Sequence, residues 1–302
     1  MLSKKEIVCP ENLLKIAKTK GVSKAAIVNA GKLVTMEATK QAVDFDLITP
    51  VFIGDKTVIE KCASDLKWDI SKYQVVNEII ENKTATIAAK MASEEKIKII
   101  VKGHIHTDIL MKAVLKRDLN LIGKKRLSHL WHMTLSQNDR PFIITDGALN
   151  VLPKLDTKMH ILKNSVDFAK RIGIDKPKVS ILSATEEILE SVPSSIDANE
   201  ITKRAQEEEI NADVFGPMAF DNSVSIKAAQ MKGIKNAVAG KTDILLVPNV
   251  EAGNSLVKMM IYFMGACAAG VVVGGKIPVV ITSRADDTQA RLASIAAAVV
   301  SL

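Results

Sequence analysis

Near its C-terminal end the chain reads "IPVVITSRADD" (277–287): an apolar run, then Thr282, Ser283 and Arg284, then the acids Asp286 and Asp287. These types and spacings suit anion chemistry. A buried strand that ends on a hydroxyl and a guanidinium, just before a helix, offers backbone N–H groups with partial positive charge and a fork of donors that fits phosphate. The plainer alternative is capping. Ser283 as N-cap would stabilise the following helix by about 1 kcal/mol, with Asp286 and Asp287 as first-turn acids that complement the helix dipole. Capping accounts for the serine and the aspartates. An arginine in a first turn opposes the dipole and is left unexplained.

Three further loops run from a strand end through glycine or proline into a helix start. In "VKGHIHTD" (101–108), Gly103 permits close backbone approach, and Thr107 either caps a helix or helps to line a cleft beside His104. His104 and His106 alternate on one face, and His129 and His132 follow in "SHLWHM". No carboxylate or thiolate stands at ligand spacing, so no metal site is expected, and a buried, hydrogen-bonded histidine is the duller reading. In "VFGPMAFDNSVS" (214–225), a Gly216-Pro217 turn precedes Asp221 and Asn222 at a helix start; in "LVPNVEAGNSLVK" (246–258), Glu251, Gly253, Asn254 and Lys258 surround another. Capping alone would suit each loop. Small polar residues and glycine at so many strand ends exceed what loops require, which favours a ligand site.

The elements that would carry these loops alternate from the start. "AAIVNA" (25–30), "PVFIGD" (50–55), "YQVVN" (73–77) and "IKIIVKG" (97–103) read as strands, with helical patterns over 11–21, 56–68, 84–96 and 107–120 between and around them. Strand, helix, strand at this spacing requires crossover connections, hence a mainly parallel α/β fold with helices on both faces. The rhythm restarts after "DGALNVLPKL" (146–155), the first domain boundary, with helices at 156–172, 201–209, 222–232 and 252–264 and strands at 178–184 and 243–248. A strand at 277–282 and a helix at 284–301 close the chain.

Composition narrows the function classes. With 47% hydrophobic and 25% charged residues the chain is ordinary globular material. The net charge of +7 calls for an anionic partner or none. Aromatics at 4% and singly scattered basic residues argue against nucleic acid and for a small polyanion. The stretch 259–275 is broken by glycines and reads as helix, turn and strand, so no membrane segment is expected. Cys9, Cys62 and Cys267 have no paired spacing, and the first residues hold no apolar core of secretory length; both point to a cytoplasmic protein.

Six stretches, "GHIHTD" (103–108), "LSHLWHM" (127–133), "FIITDGALN" (142–150), "GPMAFDNSVS" (216–225), "VPNVEAGN" (247–254) and "ITSRADD" (281–287), resemble in the same order the motifs of the phosphate acyltransferases. The "GPMAFDN" and "SRAD" forms look more like the phosphate butyryltransferase branch than the phosphate acetyltransferase branch. The resemblance implies a fold shared with isocitrate and isopropylmalate dehydrogenases. In it, residues 1–147 with 272–302 form one α/β domain, 148–271 a second, with an active site in the cleft between them and a homodimeric assembly. It implies reversible transfer of a short acyl group, acetyl or butyryl, between CoA and inorganic phosphate, with these as substrates and no cofactor. CoA as a polyanion suits the charge, and Lys102, Lys112, Lys124, Lys125 and Arg126 surround the "GHIHTD" loop in sequence.

The implied roles are concrete. Ser283 and Arg284 match the family's Ser-Arg pair, for phosphate or thiol contact and for bidentate phosphate binding. Gly103, His104, Thr107, Asp146, Asn222, Asn254 and Lys258 are expected to line the substrates. The general base is where the sequence departs: the aspartate expected two turns into the helix after Ser-Arg falls on Ala290, leaving Asp286 and Asp287 as candidates. Two alternatives therefore stay open. One is a CoA- or phosphate-binding protein with lost catalysis; the other is a metal-dependent decarboxylating dehydrogenase of the same fold, which would need an aspartate cluster that does not stand out.

Overall fold

A computed structural model describes residues 2–123, 125–135, 140–283 and 286–302. In chain order its elements are α1 (Glu11–Thr19), β1 (Ser23–Val28), α2 (Leu33–Asp44), β2 (Ile48–Gly54), α3 (Lys56–Asp65), β3 (Gln74–Asn77), α4 (Glu81–Ser93), β4 (Ile99–Lys102) and α5 (Thr107–Val114). Next come β5 (Ser128–Thr134), β6 (Phe142–Thr145), α6 (Leu155–Arg171), β7 (Lys178–Leu182), α7 (Pro193–Glu207), β8 (Asp213–Met218), α8 (Phe220–Val224) and α9 (Ile226–Met231). The last are β9 (Ile244–Leu246), α10 (Val250–Met264), β10 (Cys267–Val273), β11 (Val279–Val280) and α11 (Thr288–Val300). The expected mainly parallel α/β architecture is present.

Two compact units divide the chain. The terminal unit comprises Lys4–Lys125, Leu135–Asp139 and Cys267–Leu302; the central unit comprises Met1–Ser3, Arg126–Thr134 and Arg140–Ala266. Residues 126–134 and 140–147, which the sequence rhythm assigns to the first domain, group with the central unit because β6 pairs with both β5 and β9. Likewise 267–271 groups with the terminal unit, since β10 pairs with β11 and packs on α11.

In the terminal unit the strand order is β3-β2-β1-β4-β11-β10, parallel throughout except for β10 against β11. Strands covered on both faces read as unbroken apolar runs. Ala25, Ala26, Ile27 and Val28 of β1 follow that rule and expose no surface. Helices α1, α2 and α11 pack together, while α4 packs on β1, β2, β4 and α5. Every residue of α11 from Ala290 to Val300 is buried, so its alanine-rich sequence reflects close packing as well as propensity.

In the central unit the order is β5-β6-β9-β7-β8, with only β5 and β6 antiparallel. Several boundaries differ from the sequence reading, each for a local reason. Helix α7 begins at Pro193, eight residues before 201, because proline at the first helical position is preset for the helix. Gly216 and Pro217 lie inside β8 rather than in a turn; β8 is the last strand in the order, where a missing N–H is tolerated. Helix α10 ends at Gly265, which has φ 68°, and β10 follows at once, as the broken apolar stretch predicts. Among the described residues no helix is long and apolar enough to cross a membrane.

Candidate functional site

Parallel sheets present their loops at the carboxyl ends of the strands. In the terminal unit β4 and β11 are adjacent and parallel, with Val279 opposite Ile100 and Val280 opposite Val101. The "GHIHTD" loop and the segment that begins at Thr282 therefore leave the same edge side by side.

Gly103 is required by backbone approach. Its N–H donates to Val28 O at 2.8 Å, and a Cβ there would stand 2.5 Å from Val28 O and 2.6 Å from Asn29 O. The residue that follows is tied down too: His104 N–H donates to Asn29 O at 2.9 Å, and Asn29 Nδ2 donates to His104 O at 2.5 Å. Gly103→Ala is expected to cost about 2 kcal/mol by overpacking, lowering Tm by about 3 °C in a thermal melt. An unchanged Tm would mean that the loop shifts freely. The N-cap of α5 is His106 rather than Thr107, and the His106 N–H donates to Glu81 Oε1 at 2.6 Å. His104 and Thr107 are exposed.

The segment after β11 differs from its sequence reading in one decisive way. Helix α11 starts at Thr288 and is capped by Asp287, whose Oδ1 accepts the Ala290 N–H at 2.8 Å, so Ser283 is not the cap. Instead Ser283 and Asp286 close a turn: Ser283 N–H donates to Asp286 Oδ2 at 2.7 Å and Asp286 N–H to Ser283 O at 3.2 Å. Ser283 is exposed. Arg284 lies outside the described residues, as does Lys124. The cation in the first turn of α11 is Arg291.

Arg291 is a residue that the motifs missed. It is 6% exposed, and its three nitrogens donate to the segment before the helix: Nη1 to Thr282 Oγ1 at 2.8 Å, Nη2 to Ser283 O at 2.8 Å, and Nε to Asp286 O at 3.1 Å. Burial lowers its pKa, against which the charges of Asp286 and Asp287 act. From β4, the buried Lys102 ammonium reaches Thr282 O at 3.5 Å. The sequence carried one signal for Arg291: it is the only charged side chain in α11. Ala290, where the resemblance places an aspartate, is 4% exposed. Of the other basic residues near "GHIHTD", Lys112 is exposed and pairs with Asp108 at 3.4 Å, and Lys125 and Arg126 are exposed.

The central unit repeats the arrangement. Strands β6, β9, β7 and β8 are parallel, and their carboxyl ends lead into "DGALN", "PNVEAGN", "SATEE" and "AFDNS". Asp146 is 2% exposed and accepts four hydrogen bonds, from Ala148 N–H at 3.0 Å and Leu149 N–H at 2.8 Å on Oδ1, and from His129 N–H at 2.9 Å and Asn150 Nδ2 at 2.6 Å on Oδ2. All four partners are internal, so this carboxylate is turned into the scaffold. Gly147 and Gly253 bring the turn and α10 together backbone to backbone: a Cβ on Gly253 would stand 2.8 Å from Gly147 Cα. Asn254 Nδ2 donates to Gly147 O at 3.2 Å, and Lys258, one turn on, is exposed.

Asn222 is also turned inward. It exposes no surface, and its Nδ2 donates to Glu186 Oε1 at 2.5 Å. Glu186, on the loop after β7, is the hub here and was not singled out in the sequence. It also accepts the Ala219 N–H at 3.1 Å and the Lys232 ammonium at 3.1 Å. Burial works to raise the Glu186 carboxyl, but the Ala219 and Asn222 donors and Lys232 outweigh it and hold its pKa below the usual range.

His129 and His132 are buried in β5, and burial pushes the His132 imidazole down to about 4, which keeps it neutral. Among the described residues no group of three or more His, Cys, Asp or Glu is arranged to hold a metal ion. The three cysteines are free, and burial pushes the Cys9 thiol up to about 12 and raises that of Cys267.

With that geometry in place, similarity to known proteins identifies the chain. A family model described as "Phosphate acetyl/butaryl transferase" matches residues 17–299. The phosphate acetyltransferase of Rickettsia felis is 38% identical over 273 residues, which are 90% of this chain and 78% of that protein. The phosphate butyryltransferase of Clostridium acetobutylicum is 35% identical over 289 residues, 95% of this chain and 96% of that protein. A solved branched-chain phosphotransacylase from Enterococcus faecalis V583 matches with TM-score 0.81 at 30% identity, covering 92% of this chain and 98% of that one. The expected likeness to dehydrogenases appears as fold alone: a 4-hydroxythreonine-4-phosphate dehydrogenase from Burkholderia phymatum gives TM-score 0.56 at 13% identity, over 93% of this chain and 98% of that one. Identities of 38% and 35% do not separate the two branches. They do agree on what contains both, and the chain belongs to the phosphate acetyl/butaryl transferase family.

Proposed function

We propose that this protein is a phosphate acyltransferase that moves a short acyl group reversibly between CoA and inorganic phosphate. The observation that carries the reading is the family match from residue 17 to 299. The geometry supports it. In each unit resembling motifs lie at the carboxyl ends of parallel strands, where ligands of open α/β sheets bind, while "LSHLWHM" forms β5 itself.

The reaction balances with the two substrates alone. A phosphate oxygen attacks the thioester carbonyl, the carbon–sulfur bond breaks, and the proton lost by phosphate ends on the CoA thiol. What such a step needs from the protein is a held phosphate, an oriented carbonyl and stabilisation of the developing oxyanion. Ser283, exposed at the end of β11, and Arg284 beside it are assigned to phosphate and thiol contact. Gly103, His104 and Thr107 after the neighbouring strand, and Asn254 and Lys258 within α10, are assigned to the rest of the two substrates. Asp146 and Asn222 act by shaping the loops. Asp287 caps α11 and Asp286 accepts the Ser283 N–H, so both carboxylates are fixed in place just after β11 as candidate bases. The protein acts in the cytoplasm as a homodimer, without nucleic acid or membrane partners.

The test is release of free thiol from acetyl-CoA and butyryl-CoA with and without phosphate. Phosphate-dependent release is expected, and the faster ester assigns the branch. The buried Ala290 favours one second reading, a binding protein without turnover. CoA binding with no release from either ester would establish it in place of the first.

A further inference from the structure

We propose that Arg291 is a positioning residue for this reaction: from inside α11 it holds the Thr282 hydroxyl and the backbone carbonyls of Ser283 and Asp286 in the shape that presents Ser283, and turnover depends on that hold. The inference rests on the acyltransferase reading above and deepens it.

Three features converge on Arg291. Its contacts span the segment, with one bond from each guanidinium nitrogen to a hydroxyl or carbonyl of Thr282, Ser283 and Asp286. These acceptors bracket positions 284 and 285, so the hold is applied on both sides of the Ser-Arg pair. Its location is unfavourable on two counts, since a cation in the first turn opposes the helix dipole and a charge that is 6% exposed has lost most of its hydration. Local rules are broken at functional sites more often than elsewhere. Finally, the planar fork matters. Three acceptors on different residues fit one rigid guanidinium, whereas an ammonium would have to choose among them.

The same contacts set Arg291 apart from the residues assigned to substrate. All three of its nitrogens are committed to the protein, and its side chain is buried while that of Ser283 is exposed. Lys102 supports the same segment from β4 through Thr282 O. The segment is thus gripped from a strand beneath it and from the helix that follows it.

The experiment compares wild type with Arg291→Met, Arg291→Lys and Thr282→Val, measuring kcat and KM for acyl-CoA and amide hydrogen exchange of the 281–287 peptide. Arg291→Met is expected to lower kcat about 100-fold, the scale of a small misplacement of reacting groups, while KM changes less than about threefold. Arg291→Lys should recover part of that loss, and Thr282→Val should lower kcat several-fold with Arg291 still present. Exchange in 281–287 should rise in each variant in step with the loss of kcat. A folded Arg291→Met with wild-type kcat would overturn the proposal while leaving the acyltransferase reading standing. If that variant does not fold, wild-type kcat in both Arg291→Lys and Thr282→Val would overturn it equally. Absence of phosphate-dependent release by wild-type protein would instead overturn the acyltransferase reading, and this proposal with it.

Discussion

Arg284→Ala is expected to lower phosphate-dependent CoA release about 1,000-fold, at the upper end of what removal of one transition-state donor costs. An arginine at this position would grip phosphate with two parallel bonds and keep its charge as the acyl group transfers. Alanine removes both contributions at once. The fold should survive, because the flanking backbone is held by Arg291 and Lys102 and not by the side chain that is removed. Arg284→Lys should restore only part of the rate, since a point charge cannot reproduce the fork. Steady-state kinetics at varied phosphate, with a thermal melt alongside, check this. Wild-type turnover in the alanine variant would remove Arg284 from the site.

Asp146→Ala should give the largest loss of stability, about 4 kcal/mol. Hydrogen bonds to a charged acceptor are worth about 1.5–3 kcal/mol each, and the four here share one carboxylate, so their contributions do not simply add. The substitution removes, at a position that is 2% exposed, the shared acceptor of the buried His129 N–H, of the Ala148 and Leu149 N–H groups and of the Asn150 amide, which keeps only Leu127 O. Tm should fall by about 6 °C. Asp146→Asn should cost roughly half as much, because its amide N–H₂ must face two of those donors whichever way it turns. Denaturant titration measures both. A variant that melts normally yet loses turnover would make Asp146 a substrate contact and not a scaffold residue.

Much of this molecule was legible along the chain. Alternating apolar strands and helices announced a mainly parallel α/β fold because crossover spacing and two-sided burial leave few other solutions. The motif loops were legible for a related reason: glycine, proline and small polar residues recur where strands end, and Gly103 meets a steric demand that no other residue satisfies.

Roles within the loops were a different matter, because they depend on partners far away in sequence. Ser283 and Thr107 looked like caps, yet Asp287 and His106 occupy those positions, since a turn closed by Asp286 delays α11 and a bond to Glu81 anchors α5. Asp146 and Asn222 looked like ligand contacts, and burial among His129, Asn150 and Glu186 turned them inward. Arg291 carried no motif at all; only the return of α11 over Thr282 and Ser283 gives it work. The sequence by itself determined the fold class, the family and the loops that carry the resembling motifs, since these follow from local period and ordered motifs. Which side chains of those loops stay exposed and which are buried holding the others was decided only in the tertiary structure, because hydrogen bonds and burial are properties of neighbours in space.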